Sequence, residues 1–498
     1  MLKKQKRYEQ VAAAVAERIR SGDYPPGFKL PGTRSLAGRF GVSISTVVEA
    51  QRLLERWGLV VARPRSGYYV RLPGAEATGL DRSDGHSEVS LQPSADSGAV
   101  VTGVLQCTPR VATTRRLILE LVQATHRQDL IPLGAAVQDS RYIPVDALNR
   151  ALRRVTKLQG GNVWSYEFAP GNPVIRERIA ERMQLAGVKA HRDDIVLTHG
   201  CHDAMLLALH SVCQPGDIVA VESPTYYGLL QVLETLQLKV LEIPVHPGRG
   251  LQADALALAI QQWPIKACIW VSNFSNPLGI LPSVQSKREI VQLLAENNIP
   301  LIENDVYGEL GFLEERPPAA KKFDRQGGVF YCASFSKSLA PGARLGWIVP
   351  GKSRDAVQYG QFASSVATPS IPQYAFAELL QSGDFDRHLR RVRSAYYDRV
   401  MRASGILQRY FPATTRISDP AGGFVLWLTL PDKLNAMKLY QRALKEGISF
   451  APGPLFSTAE SFQSCLRINC AVGDDDALKW ALISLARLLP ELDEKTHA

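Results

Sequence analysis

The 498-residue sequence has no run of eighteen apolar residues, so no membrane-spanning helix of ordinary length is expected. Its basic opening, MLKKQKRYEQ, is followed by no apolar core segment, so it does not read as a secretory signal. Cysteine is sparse and scattered, at positions 107, 201, 213, 268, 332, 465 and 470, without a Cys-x-x-Cys pair. An odd, unclustered set of thiols suits neither a disulfide framework nor a zinc site, and it points to a reducing, cytoplasmic setting. No metal is expected. No short internal repeat is present, which argues against a solenoid or propeller.

Positive charge is abundant at one end. Of the net +10, residues 1–72 supply +9, from fourteen Lys/Arg against five Asp/Glu. A basic end on a near-neutral body is the footprint of a phosphate-backbone binder. The length implies two or three domains.

Three segments follow from the pattern. Residues 1–72 read as three helices and a hairpin. Val11, Val15 and Ile19 share one helical face, and the Gly22 and Pro25-Pro26-Gly27 cluster ends that helix. A short helix over Thr33–Phe40 sets Leu36 and Phe40 on one side. After the turn at Gly41-Val42, Ser43 is placed to cap a helix with Val47, Ala50, Leu54 and Trp57 on one side. Two helices joined by a short glycine turn form a helix-turn-helix. The β-rich runs Leu59–Ala62 and Tyr68–Val70 flank Pro64-Arg65-Ser66-Gly67 as a hairpin, or wing. Residues 73–103, rich in Gly, Ser, Asp and Pro, read as a flexible linker. Residues 104–498 alternate apolar runs with helical stretches, which predicts a mostly parallel sheet covered by helices. The runs are Ile195–Thr198, Ile218–Glu222, Ala267–Val271, Pro300–Glu303 and Val329–Ala333.

In a helix-turn-helix the second helix enters the major groove, so Ser43, Ser45 and Thr46 would face bases and phosphates. Arg34 is placed to grip phosphate, and Arg65, Ser66 and Gly67 could approach the DNA from the wing. The stretch GDYPPGFKLPGTRSLAGRFGVSISTVVEAQRLLERWGLV, followed by SGYYV, resembles the winged helix-turn-helix of the GntR family. The resemblance carries DNA contacts to Arg34, Ser45, Thr46 and the turn at Ser66-Gly67. It departs at Ile44, where the family often has Arg. Isoleucine cannot make a bidentate guanine contact, so the operator sequence is left open.

The third segment places polar residues just after its strands. Lys337 lies between two serines in SFSKSLAPGARLGW; a desolvated lysine amine is a nucleophile. Ser334, Ser336 and Arg344 are phosphate donors. Gly200-Cys201-His202 opens a helix whose backbone N–H groups can take an anion. Asp305 and Tyr307 follow one strand, Asn276 another, and Tyr226 a third. Asp-x-Tyr alone is an ordinary capping turn, and Asn-Pro alone a turn signal. Together they supply a Schiff-base lysine, an acid for a pyridine nitrogen, donors for a ring oxygen, a stacking ring and a phosphate cup. Those are the parts that pyridoxal 5′-phosphate (PLP) chemistry requires.

The ordered set, with intervals of 26, 50, 29 and 32 residues from Gly200 through Tyr226, Asn276 and Asp305 to Lys337, resembles fold-type I PLP enzymes of the aspartate aminotransferase class. That resemblance implies a smaller C-terminal α+β part. It implies that Arg467 clamps a carboxylate and that Tyr166 reaches the cofactor phosphate of a neighbouring subunit. It departs at Leu278, where the family commonly has Thr. A GntR-type head on an aminotransferase-like body resembles the MocR subfamily of bacterial regulators. This implies a cytoplasmic homodimer, each head against its partner's body, associated with the nucleoid when bound to double-stranded operator DNA. An amino acid or amine effector would displace Lys337 as an external aldimine and shift the heads. A catalytically active aminotransferase with an accessory head is the alternative, and a cofactor-free scaffold is disfavoured by the retained Lys337, Asp305 and Arg344.

Overall fold

The computed structural model describes residues 7–20, 24, 30–56, 59–63, 67–70, 107–111, 115–313, 315–459 and 461–489. They form two compact units, each with its own core. The linker expected at 73–103 lies outside the described residues, as do Trp57, Arg65 and Ser66.

The first unit has helices Arg7–Arg20, Thr33–Phe40 and Ile44–Arg56 and an antiparallel pair, Val60–Arg63 with Gly67–Val70. Val11, Val15, Ala50, Leu54, Val60 and Val70 bury together, so the helical and strand periods meet in one core. Leu36 packs on Val47 under the two-helix turn. Gly41 ends the second helix at φ +60°, a left-handed conformation that costs glycine little. Ser43 Oγ then accepts the N–H of Thr46 at 3.2 Å, capping the third helix.

The second unit is built on a seven-stranded sheet. Its order is Val196–Thr198, Gly346–Val349, Val329–Ser334, Leu301–Asn304, Ile265–Trp270, Ile218–Ser223, Lys239–Pro244. Alternate residues enter different cores, as the twofold strand period requires. Val219, Val221 and Ile269 pack with Leu207 and Leu229 of helices Cys201–Val212 and Tyr227–Thr235. Ala220, Cys268 and Trp270 pack with Leu256 and Ile290 of helices Ala253–Gln262 and Val284–Glu296. Thus helices cover both faces. Five strands lie where the apolar runs predict them, within two residues. Two further strands complete the sheet. Lys239–Pro244 has its apolar run broken by Glu242, and Gly346–Val349 is short and antiparallel to both neighbours.

A four-stranded antiparallel sheet forms the smaller C-terminal part, in the order Arg416–Ile417, Val425–Thr429, Cys465–Asn469, Ala451–Pro452. Helices Asp384–Tyr410, Ala436–Lys445 and Asp475–Leu488 contribute to its core. Among the described residues, no helix is long and apolar enough to cross a membrane, and no cluster of His, Cys, Asp or Glu is disposed to hold a metal.

Candidate functional site

All strands of the large sheet except Gly346–Val349 run the same way, because that one strand is antiparallel to both its neighbours and the other pairs are parallel. Their C-terminal ends therefore share one edge, where open α/β sheets bind ligands. The residues singled out from the sequence follow those ends. Gly200, Cys201 and His202 come after Thr198, Tyr226 after Ser223, and Asn276 after Trp270. Asp305 and Tyr307 come after Asn304, and Ser336 and Lys337 after Ser334.

Lys337 is partly buried, and its Nζ donates to the Ala136 carbonyl at 2.6 Å. Burial, then the positive charges of Arg467 and Arg344, bring its amine down to about 8. Removing water disfavours the ammonium, and so do like charges.

Gly200 sits at φ +87° before helix Cys201–Val212. A Cβ there would stand 2.8 Å from Nη2 of Arg344, so a larger residue would press on that guanidinium. Arg344 itself has φ +50° and donates Nη2 to the His199 carbonyl at 2.9 Å. Ser334 and Ser336 are buried on the adjoining turn, with Ser336 N–H donating to Ser334 Oγ at 3.4 Å. A helix N-terminus, Arg344 and two serines are hydrogen-bond donors of the kind that suit an anion. The Cys201 side chain is engaged elsewhere, its Sγ donating to Asn304 Oδ1 at 3.3 Å, while the anion role expected of this residue belongs to its backbone N–H. His202 is exposed.

Asp305 is 2% exposed and accepts hydrogen bonds from Asn273, Arg316 and Tyr331. Asn276 Nδ2 donates to Tyr307 Oη at 3.4 Å. Burial pushes the Tyr307 phenol up to about 12, and that of Tyr226 further still, so both stay neutral hydroxyls. Tyr226 is partly buried, with its ring 4.9 Å from that of Tyr227.

Arg467 is fully buried on strand Cys465–Asn469. It donates Nη1 to Asn276 Oδ1 at 2.8 Å and Nη2 to the Gly134 carbonyl, while its Nε has no partner. Its guanidinium lies 5.1 Å from the Phe456 ring centroid and 5.4 Å from that of Tyr227. Tyr166 stands apart from these residues: it is 74% exposed and stacks on Phe168.

Asn273, Arg316, Tyr331 and Lys287 also belong to the site, and the sequence reading did not single them out. Lys287 left a signal: it occupies the apolar stripe of helix Val284–Glu296 with Ile290, Val291 and Leu294. Arg316 left none, being in an aperiodic Pro-rich turn.

In the first unit, Ser43, Ile44 and Ser45 are exposed at the start of the third helix, and Thr46 is half-buried. Ser43 Oγ lies 2.9 Å from Ser45 Oγ and 2.8 Å from Thr46 Oγ1, a compact hydroxyl cluster. Arg34 lies in the helix Thr33–Phe40, and Gly67 opens the second strand of the hairpin.

Residues 7–70 match the model of the bacterial regulatory proteins of the gntR family, and residues 130–485 match that of aminotransferase class I and II. The chain is 37% identical over 491 residues to the uncharacterized HTH-type transcriptional regulator YdcR of Escherichia coli K12, covering 98% of this chain and 99% of that one. It is 38% identical over 476 residues to the uncharacterized HTH-type transcriptional regulator YjiR of the same organism, covering 96% and 97%. Among solved structures, LysN, the α-aminoadipate aminotransferase of Thermus thermophilus complexed with N-(5′-phosphopyridoxyl)-L-leucine, is 26% identical. The TM-score is 0.70, with 80% of this chain and 98% of that one covered. With a GntR head and a fold-type I aminotransferase body on one chain, this protein belongs to the MocR-type transcriptional regulators.

Proposed function

We propose that this regulator carries PLP on Lys337 and changes its grip on operator DNA when an amino compound takes the lysine's place. The observation that carries the reading is the placement of Lys337. It is a lowered-pKa amine near Arg344 and Arg467, on the same sheet edge as Asp305.

The residues present fit the cofactor. Gly200 leaves the space beside Arg344 that a Cβ would fill, and the helix N-terminus, Arg344 and two serines would suit a phosphate. Asp305 would hold a proton on the ring nitrogen. Asn276 and Tyr307 would donate to the ring oxygen, and Tyr226 would cover a ring face. Bound there, PLP supplies an electrophilic carbon for amines and an electron-withdrawing ring. Arg467 would take the carboxylate of an α-amino acid effector, since guanidinium and carboxylate match in a fork. Tyr166, exposed beside Phe168, suits a role on a second copy of the chain, and a cytoplasmic homodimer with exchanged heads is part of this proposal. Ser43, Ser45, Thr46, Arg34 and the wing residues Arg65, Ser66 and Gly67 would meet double-stranded DNA.

The retention of Lys337, Asp305 and Arg467 together also favours a second reading, a working aminotransferase with an accessory head. Operator affinity, measured with and without amines that perturb the PLP spectrum, separates the two. The sensor reading expects reciprocal coupling of about 1–3 kcal/mol that Lys337→Ala abolishes. Unchanged DNA affinity, with steady amino transfer at about 1 per second or faster, establishes the enzyme reading instead.

A further inference from the structure

Asp305 is held from three directions. Asn273 Nδ2 donates to Oδ1 at 2.8 Å, while Arg316 Nη2 at 2.8 Å and Tyr331 Oη at 2.9 Å both donate to Oδ2. A carboxylate offers about four acceptor sites, two on each oxygen. Oδ2 is therefore filled, and Oδ1 keeps one site. Asn273 is itself fixed from behind. Its Oδ1 accepts from Lys287 Nζ at 2.5 Å, and Lys287 also donates to the Pro318 carbonyl at 2.8 Å. An ammonium only donates, so the Asn273 carbonyl must face Lys287 and its NH₂ must face Asp305.

Burying the Arg316 and Lys287 cations is costly for folding alone, because removing ions from water costs several kcal/mol each. Lys287 is fully buried in an apolar helix stripe, where a leucine would pack without that cost. Arg316 has a second carboxylate neighbour, Glu309 Oε1 at 3.7 Å, but its short contact is with Asp305.

We propose that Arg316 and the Lys287–Asn273 pair are positioning residues for Asp305, holding its carboxylate turned so that Oδ1 presents its remaining acceptor to the cofactor's ring nitrogen. This inference rests on the PLP reading above. It goes beyond that reading by assigning a function to buried charges that touch neither Lys337 nor DNA. Burial, with the Arg316 charge, lowers the Lys287 amine to about 8 against the opposing Asp305 and Glu303 carboxylates.

The test uses full-length apoprotein titrated with PLP and followed by absorbance. Arg316→Met and Lys287→Met are each made in the native background and with Asp305→Asn. Each should weaken PLP affinity about tenfold in the native background, the size of a lost charge-assisted hydrogen bond. With Asp305→Asn in place the further loss should be less than about twofold, because residues acting through one partner are non-additive. Arg316→Lys should recover most of the affinity. Two routes to Asp305 keep the test open if one variant fails to fold, and thermal melts identify such a failure. Equal losses in both backgrounds, or native affinity in both variants, overturn the inference and leave the PLP reading standing. Wild-type protein that takes up no PLP rejects that reading and this inference with it.

Discussion

Arg467 donates to Oδ1 of Asn276 at 2.8 Å, across 191 residues of sequence. The arginine suited to an effector's carboxylate is thus tied to the amide suited to the cofactor's ring oxygen. A carboxylate that engages Arg467 meets a guanidinium already oriented by Asn276 and Gly134. Under the proposed function, this one hydrogen bond would link the effector and cofactor subsites.

Replacing Arg467 by Met should therefore act on one class of effector. Affinity for an α-amino acid should fall about tenfold or more, the scale of a charge-assisted hydrogen bond. The matched amine lacking the carboxylate should keep its affinity, and basal DNA binding should be retained. Absorbance titration of the PLP-loaded protein measures both ligands. Equal losses for acid and amine contradict the assignment. The variant should also melt earlier, since the carbonyl oxygens of Asn276 and Gly134 lose a buried donor.

Lys337 gives a pH prediction with a definite sign. Burial and two neighbouring cations disfavour its ammonium, so its amine falls to about 8. At pH 7 roughly one amine in ten is then free base, against fewer than one in a thousand for an ordinary lysine. PLP uptake by the apoprotein should rise about tenfold between pH 6 and 7 and level off above about 8. Borohydride should fix the cofactor to Lys337, and Lys337→Ala should lose that link. A rate still climbing beyond pH 10 contradicts the placement.

Gly200→Ala tests the proposed phosphate site. The backbone there sits at φ +87°, and the new methyl would press on Arg344 from 2.8 Å. Alanine at positive φ costs about 1 kcal/mol or more, so a modest drop in melting temperature should accompany a larger loss of PLP affinity. Equal PLP affinity in both proteins argues against a phosphate at this corner.

The head should bind DNA chiefly through phosphates. With about six contacts, affinity should fall roughly a thousandfold between about 50 and 200 mM salt. Arg34→Ala should weaken all sequences alike and flatten the salt slope by about one unit. Ser43→Ala removes the cap on the third helix, at about 1 kcal/mol, and should destabilise the head without that change in slope. Fluorescence anisotropy over a salt series measures each, and undiminished binding after deletion of residues 1–72 contradicts the assignment.

The sequence by itself determined the first unit's elements and five of the large sheet's strands, in chain order. Val11 and Val15, or Val47, Ala50 and Leu54, mark helical faces because burial follows a period near 3.6 residues. The five apolar runs mark strands, and the polar residues that follow them mark the sheet's functional edge, because both signals are local. The Lys287 anomaly was equally local, a charge in an apolar stripe. Contacts between distant segments were beyond such reading. Lys337 meets Ala136 across 201 residues, and Asp305 gathers Asn273, Arg316 and Tyr331 from separate segments. Those pairings depend on which strands become neighbours and which side each faces. The antiparallel strand Gly346–Val349, with Val196–Thr198 beyond it, shows how little of that order a short apolar run encodes. Tertiary structure alone decided that Arg467 is fully buried against Asn276, because the free energy of placing a charge depends on partners that only the folded chain supplies.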